Sequence, residues 1–565
     1  MSVDTGSPRV VAPRSRPGIL ERTFSAPGLI VGALFFAASL APSLLPRAGY
    51  VQGIASGITF MIGYGIGAGA QALWSYLGIG SLHGRLRQVV VGILVGLVAL
   101  VTVLGVWRQV GWQNEVRAIF GMEPVSWTAW PVILVVAVVV AALILIVSRS
   151  LRALFATVGG WLSRVLPRRL AVVLGAGGLL LLLWLLWSGV LVNGFFAVAG
   201  AMFSTRDGAT AEGVTPTQSA LRSGGPDSQV AWDELGRQGR SFVSRGPTVA
   251  QIDAFSGGGA VEPIRVYVGL KSAPTLEERS QLLLDELVRT GAFDREAIVI
   301  ATTTGTGFLD PHGVDPVDYL FNGDVAIAGL QYSYLPSWIS LLADQDAVRE
   351  TAQVSFQTIH DYWSTLPEDD RPDLYLYGLS LGSLGVESVL DTVNIINEPI
   401  AGAVMTGPPF VNDLHARLVA QRDAGSPANL PVYGQGRTVR FTDQADTAEV
   451  VAEDWGPTRL VYLQYGSDPI VFFSPSLAFS PPDWLKEGQR APDVSERMGW
   501  FPLVTMWQVL LDLPGAGGVP YGYGHLYSIR DNVESWVAAV QPEGWTGEDT
   551  DRLVAAIEAQ GETED

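Results

Sequence analysis

The segment with the clearest chemical potential is Gly378-Leu379-Ser380-Leu381-Gly382. It follows an extended apolar run, Leu374 to Tyr377, and leads into a helical pattern from Ser383 through Val389 and Leu390. At so sharp a strand-to-helix turn, side chains at the flanking positions would collide with backbone, and glycines relieve the crowding while the serine is held up from the sheet edge. In a chain with 64 glycines a bare GxSxG arises by chance, so the strand and helix flanks give the motif its weight. A serine hydroxyl is a weak nucleophile near neutral pH unless a base takes its proton, and that base needs a carboxylate to hold its tautomer.

Five histidines could supply the base: His83 in an apolar-region loop, His312 in a Pro/Gly-rich loop, His360 inside a helix, His415 and His525. His525 fits best, because Gly522-Tyr523-Gly524-His525-Leu526-Tyr527 stands just before a final helix near 531–540, and His415 is the reserve. The acid expected is Asp468, just past the strand Leu460 to Gln464. Asp391, late in the helix after the serine, and Asp443 and Asp446, after the more polar run Thr438 to Thr442, are the alternatives. An oxyanion formed on attack needs two amide donors, one from the residue after the nucleophile, Leu381. The second is expected from Thr304 or Thr306 in the loop after the strand Ala297 to Ala301. No cofactor is required, and zero cysteines exclude disulfides, thiol catalysis and Cys-ligated metal sites.

About 56 residues separate Asp468 from His525 and include Phe472-Phe473, Trp484, Trp500 and Phe501. Such an insertion reads either as an aromatic cap over the serine, favouring an apolar acyl chain, or as packing against the sheet. Tyr332 and Tyr334 are further candidates for the mouth of a substrate site, with Trp500 and Phe501.

These groups sit within an alternation of strands and helices from Pro263 onward, which predicts a mostly parallel sheet with helical crossovers on both faces. Reactive groups in such sheets gather at the carboxyl ends of strands. We read residues 231–545 as the catalytic domain, 201–230 as a Gly/Ser/Thr/Pro-rich linker and 546–565 as an acidic tail. Arg237 and Arg240, near the start of the domain, suit either an anionic headgroup or ordinary salt bridges.

Residues 1–200 differ sharply, with 14 Lys+Arg against 4 Asp+Glu, whereas the other residues hold 22 against 51. The stretches 23–46, 48–84, 88–107, 124–148 and 170–205 contain no charged residue. Each can hold one crossing of a bilayer, which takes roughly 20 apolar residues, so a domain of about five transmembrane helices is expected. Eleven arginines fall at the N-terminus and in the second-to-third and fourth-to-fifth connections, against Arg47, Arg108 and Arg117 in the other two. Arginine-rich connections stay inside, which places the N-terminus in the cytoplasm and the catalytic domain outside a plasma membrane. Gly53/Gly57, Gly63/Gly67 and Gly92/Gly96 have the spacing that lets helices approach closely. No ionisable residue lies within a span to mark an ion path, and the acidic second half argues against a nucleic-acid partner.

Gly378 to Gly382, the Asp468-Pro469 loop and the Gly524-His525 loop resemble the α/β-hydrolase superfamily across residues 263–540. Several spans ahead of such a domain, with Ser43-Leu44-Leu45-Pro46-Arg47 ending the first, resemble the bacterial α/β-hydrolases that carry an N-terminal transmembrane domain. The resemblance implies the fold and a Ser380, Asp468, His525 triad, and names no substrate. Three readings follow: hydrolysis of an acyl ester, lipid-like by preference, through an acyl-enzyme; acyl transfer by the same triad; or a non-enzymatic membrane scaffold or sensor reusing the fold. The partners implied are the bilayer and a small ester.

Overall fold

The computed structural model describes residues 24–79, 84–164, 167–185, 192–343, 345–390, 398–445, 448 and 454–564. The chain divides into two units, one of Met1–Leu40, Ala48–Arg108 and Trp127–Leu191, the other of Ala41–Arg47, Gln109–Ser126 and Val192–Asp565.

The first unit is helical. Its helices include Ala26–Ser39, Gly49–Tyr76, the N-terminal part of Gly84–Ile119, Trp130–Leu162 and Arg168–Leu185. Glycine decides where they meet. A Cβ on Gly53 would lie 2.8 Å from Ile133 O, one on Gly57 2.8 Å from Ala137 O, and one on Gly67 2.4 Å from Pro27 O. Gly92 and Gly96 face open space instead, so their spacing does not mark a helix contact here. Large apolar side chains such as Leu97, Val103, Val135 and Val138 point outward, the reverse of a water-soluble helix. Among the described residues three helices are long and apolar enough to cross a membrane: Gly49–Tyr76, Gly84–Ile119 and Trp127–Leu162. The five-span expectation is thus met in length by three. Helix Ala26–Ser39 has 14 residues, which at about 1.5 Å per residue falls short of a hydrocarbon core of roughly 30 Å.

The second unit is built on seven strands: β1 Ile264–Val268, β2 Ala297–Thr302, β3 Val325–Leu330, β4 Asp373–Leu379, β5 Gly402–Thr406, β6 Val439–Thr442 and β7 Arg459–Leu463. All pair in parallel, in the order β1-β3-β2-β4-β5-β7-β6. Parallel strands covered on both faces read as unbroken apolar runs, and β1, β3 and β5 are buried throughout. The helices fall into two groups that pack among themselves, Leu276–Thr290, Gln345–Trp363 and Leu381–Leu390 in one, Pro311–Leu320, Ile529–Val540 and Gly547–Glu564 in the other. Capping boxes at Thr248/Gln251 and Thr275/Glu278 start two of the unit's helices.

Residues 201–230 are tied into the sheet edge rather than left as a connector: Ser223 N donates to Arg265 O, Arg265 N to Leu221 O, and Ser223 and Ser228 hydroxyls to Glu286. Their polar composition hides these local partners. The acidic C-terminal segment forms the helix Gly547–Glu564, whose Leu553, Val554 and Ile557 share one face and pack with Ile252, Tyr319 and Val533.

Candidate active site

Strand β4 delivers Ser380 to the sheet's carboxyl edge with φ +54°, a left-handed conformation that costs a non-glycine residue energy and persists only where its surroundings enforce it. The enforcement is local. Ser380 N donates to Thr406 O of β5 at 2.8 Å. A Cβ on Gly378 would come 2.3 Å from the Gly382 carbonyl carbon, and one on Gly382 2.3 Å from Thr302 O. Both glycines are therefore required by close backbone approach, the role expected of them. The helix Leu381–Leu390 starts directly after the serine, which leaves the Leu381 amide in a first turn without an intrahelical partner.

Two strands over, β7 runs into Asp468, which is fully buried. Its Oδ1 accepts the Ile470 amide at 2.8 Å, and its Oδ2 accepts His525 Nδ1 at 2.6 Å and the Tyr527 hydroxyl at 2.7 Å. Burial first, then the neighbouring carboxylate, raises the Tyr527 hydroxyl well above its ordinary value, so it stays a donor. With Nδ1–H engaged, His525 presents Nε2 as the basic lone pair. That atom is buried and makes no hydrogen bond to any described residue, Ser380 included. An orphaned buried nitrogen calls for an explanation, and catalytic hydrogen bonds are often long until substrate binds. The imidazole lies against Gly407 (φ +57°) just after β5, where a Cβ would come 2.6 Å from His525 Cε1. Ser380 is bonded to the preceding residue, Thr406, so serine and imidazole meet the same strand end one residue apart.

Ser467 and Tyr527 complete this arrangement and were not anticipated. Ser467 Oγ accepts the Gly524 amide at 3.0 Å, and Tyr465 stacks on Tyr527 at 4.3 Å. Tyr527 stands two residues after the histidine; only the fold shows that it reaches the same carboxylate oxygen.

The remaining candidates are placed as follows. His415 is buried, its Nε2 donating to Gln464 Oε1 at 2.6 Å, and burial lowers it to about 4. His360 Nε2 bonds Glu398 O between Phe356 and Trp363. His312 stacks on Tyr521, and Asp443 accepts the Ala445 amide. His83, Asp391 and Asp446 lie outside the described residues. In the loop after β2 the Thr304 amide donates to Phe308 O at 2.9 Å, so that donor is already engaged, and the Gly305 amide donates to the Tyr332 hydroxyl. Tyr332 packs with Leu381.

Thr304, Thr306 and Tyr334 line a cavity of about 290 Å³ together with Phe203, Arg206 and Arg237; neither Ser380 nor His525 lines it. Arg240 is buried and donates to Asp207 O and Ala209 O, a structural role. Trp500 and Phe501 bond within the insertion, Trp500 Nε1 to Leu477 O and Phe501 N to Thr505 Oγ1. Among the described residues no three His, Asp or Glu side chains are grouped to hold a metal.

No curated protein and no solved structure matches the chain. Residues 264–553 match the α/β-hydrolase family, and residues 40–247 match the N-terminal region described for that family. A seven-stranded parallel sheet and a family match over more than half its length together show that this chain belongs to the α/β-hydrolase family.

Proposed function

We propose that the chain is a serine hydrolase that cleaves an acyl ester through an acyl-enzyme. The observation that supports this reading is the Asp468–His525 pair, whose imidazole lies against Gly407 with Nε2 free, one residue after the Thr406 carbonyl that accepts the amide of Ser380, itself held at positive φ. Nε2 takes the Ser380 proton as Oγ bonds to the ester carbonyl carbon, and the oxygen that gains charge is held by the Leu381 amide. The same Nε2 then protonates the departing alkoxide, and a water molecule repeats the sequence on the acyl-serine. Asp468 keeps the imidazole in the tautomer with hydrogen on Nδ1 and stabilises the cation that forms. The Thr306 amide, which makes no hydrogen bond to a described residue, is the second donor proposed.

A lipid-like ester is the substrate class proposed, with Tyr332, Tyr334, Trp500 and Phe501 as its contacts. Outward-facing apolar helices in the first unit support a membrane location. The arginine asymmetry supports a cytoplasmic N-terminus with the hydrolase on the opposite face, and a reporter fused at about residue 215 reads the topology. The nucleophile is tested by a fluorophosphonate probe on the full-length protein in detergent. Wild type is expected to label and Ser380→Ala is not; equal labelling of both ends the assignment.

A further inference from the structure

Ser43-Leu44-Leu45-Pro46-Arg47 joins the helices Ala26–Ser39 and Gly49–Tyr76 in the chain, yet it belongs to the catalytic unit. Arg47 is 5 % exposed, and so deeply buried a guanidinium requires matched partners. Its Nε donates to Asp512 Oδ1 at 2.8 Å, its Nη2 to Gln508 O at 2.8 Å, and its amide to Gln113 Oε1 at 3.0 Å. Ser43 Oγ donates to Asp512 Oδ2 at 2.5 Å, and Gln508 Nε2 donates to Ala41 O at 3.0 Å. Both ends of the segment are thereby pinned to the helix Val504–Asp512.

Between the two anchors, Leu45 enters an apolar cluster with Val116, Phe120, Ile470, Ala516 and Val519. This cluster underlies both members of the acid–imidazole pair. Ile470 gives its amide to Asp468 Oδ1, and Ala516 O accepts the His525 amide at 2.9 Å. A Cβ on Gly524 would lie 3.3 Å from Leu45 Cδ2, and Tyr523 stacks on Phe120 at 4.6 Å. His525 sits on an irregular loop, and a loop holds a side chain only as well as its packing does.

We propose that Arg47 is a positioning residue for the catalytic pair: fastened to Asp512, it seats Leu45 beneath the loops carrying Asp468 and His525. The proposal rests on the triad reading above. It gives the Ser43–Arg47 motif a task in the chemistry, acting through Leu45 and Asp512 with no need to touch substrate. Losing the seat lets the imidazole drift, and a displacement of about 1 Å at a catalytic group costs on the order of 100-fold in rate.

The test is turnover of 4-nitrophenyl butyrate by the full-length protein in detergent, with KM and kcat measured for wild type, Arg47→Ala, Arg47→Lys, Leu45→Ala and Ser380→Ala. Arg422→Ala, which breaks a half-exposed ion pair with Asp483, is the control expected to keep basal activity. Arg47→Ala is expected to lower kcat about 100-fold and Leu45→Ala about 10-fold, with KM within about 3-fold of wild type. With kcat expressed per site labelled to completion by the fluorophosphonate, a loss of folded protein alone leaves kcat unmoved, whereas a displaced imidazole lowers it with KM kept. Arg47→Lys is expected to recover part of kcat, since an ammonium can reach Asp512 but cannot also reproduce the guanidinium's bond to Gln508 O. If Arg47→Ala does not fold, Leu45→Ala, which leaves the ion pair intact, decides by the same criteria. Unchanged kcat in these variants, or a fall in kcat matched by an equal rise in KM, with Ser380→Ala inactive, overturns the proposal and leaves the triad standing. Turnover retained in Ser380→Ala overturns the triad reading itself.

Discussion

Two imidazoles, His415 buried and His525 half-buried, hang from the carboxyl end of β7, four residues apart in their partners, and they differ in what the second ring nitrogen can do. His415 donates through Nε2 to Gln464 Oε1, an uncharged amide, and it packs beside Phe441 and Tyr462. His525 donates through Nδ1 to the Asp468 carboxylate and keeps Nε2 without a hydrogen bond to a described residue. A carboxylate partner favours the imidazolium that a general base must become, whereas an amide in a dry pocket does not, and burial holds His415 at about 4. Burial alone therefore makes a histidine inert. A fixed acid and one open nitrogen are what the proposed base has in addition.

The comparison is broken most severely by removing the charge while keeping the shape. Asp468→Asn is expected to lower kcat by about 10,000-fold, because the amide no longer selects hydrogen on Nδ1. The measurement is the rate of phosphonylation of Ser380 by the fluorophosphonate, with fluoride leaving, and a fall of less than about 10-fold would mean that Asp468 does not orient the base. A smaller effect is expected from Tyr527→Phe, which leaves Asp468 Oδ2 with His525 as its remaining side-chain donor. One hydrogen bond to a charged group is worth about 1.5–3 kcal/mol. Its loss is expected to destabilise the fold by about that amount in urea titrations and to lower kcat by less than Asp468→Asn does.

The smallest effect on rate sharpens the comparison from the other side. His415→Gln is expected to leave kcat within about 3-fold, as substitutions away from reacting groups commonly do, while changing how stability depends on pH. In the folded protein His415 titrates at about 4 against an ordinary 6.5, so between those values the unfolded chain binds more protons. Wild type thus loses stability from this residue as pH falls from 6.5 toward 4, by on the order of 3 kcal/mol for a shift of that size. The variant lacks that loss, so its stability relative to wild type should improve as pH is lowered from 7 to 4 in urea titrations. Glu387, raised to about 7 chiefly by burial, works in the opposite sense in both proteins: its stabilising contribution is lost as pH rises from about 4.5 through 7. It cancels from the difference, and a pH-independent difference would show that His415 is not the neutral, buried group described.

Much of this was legible before any coordinates, for reasons that are local. GxSxG between a strand and a helix marks the elbow because backbone crowding demands glycine at Gly378 and Gly382. Chain order, and positions after a strand and before a helix, single out Asp468 and His525, which the structure joins by a 2.6 Å hydrogen bond. The unbroken apolar runs of β1, β3 and β5 announced a parallel sheet covered on both faces. Less was legible where function depends on partners far apart in the chain. The Thr304 amide was an attractive oxyanion donor until the loop was seen to close on Phe308 O. Gly92 and Gly96 carry the same spacing as Gly53 and Gly57, but spacing does not say which face of a helix has a neighbour.

What the amino-acid order determines by itself is periodicity, composition and close-range sterics: the charge-free helices, the buried strands, the elbow and the residue types able to relay a proton. Which imidazole meets a carboxylate, which hydroxyl shares the Asp468 oxygen, and why Arg47 and Asp512 lie together are decided only by tertiary structure. Those contacts join residues up to 465 positions apart, and no local preference encodes a pairing across that distance. Packing selects the partner, because a buried charge or hydroxyl left without one would be too costly to fold around.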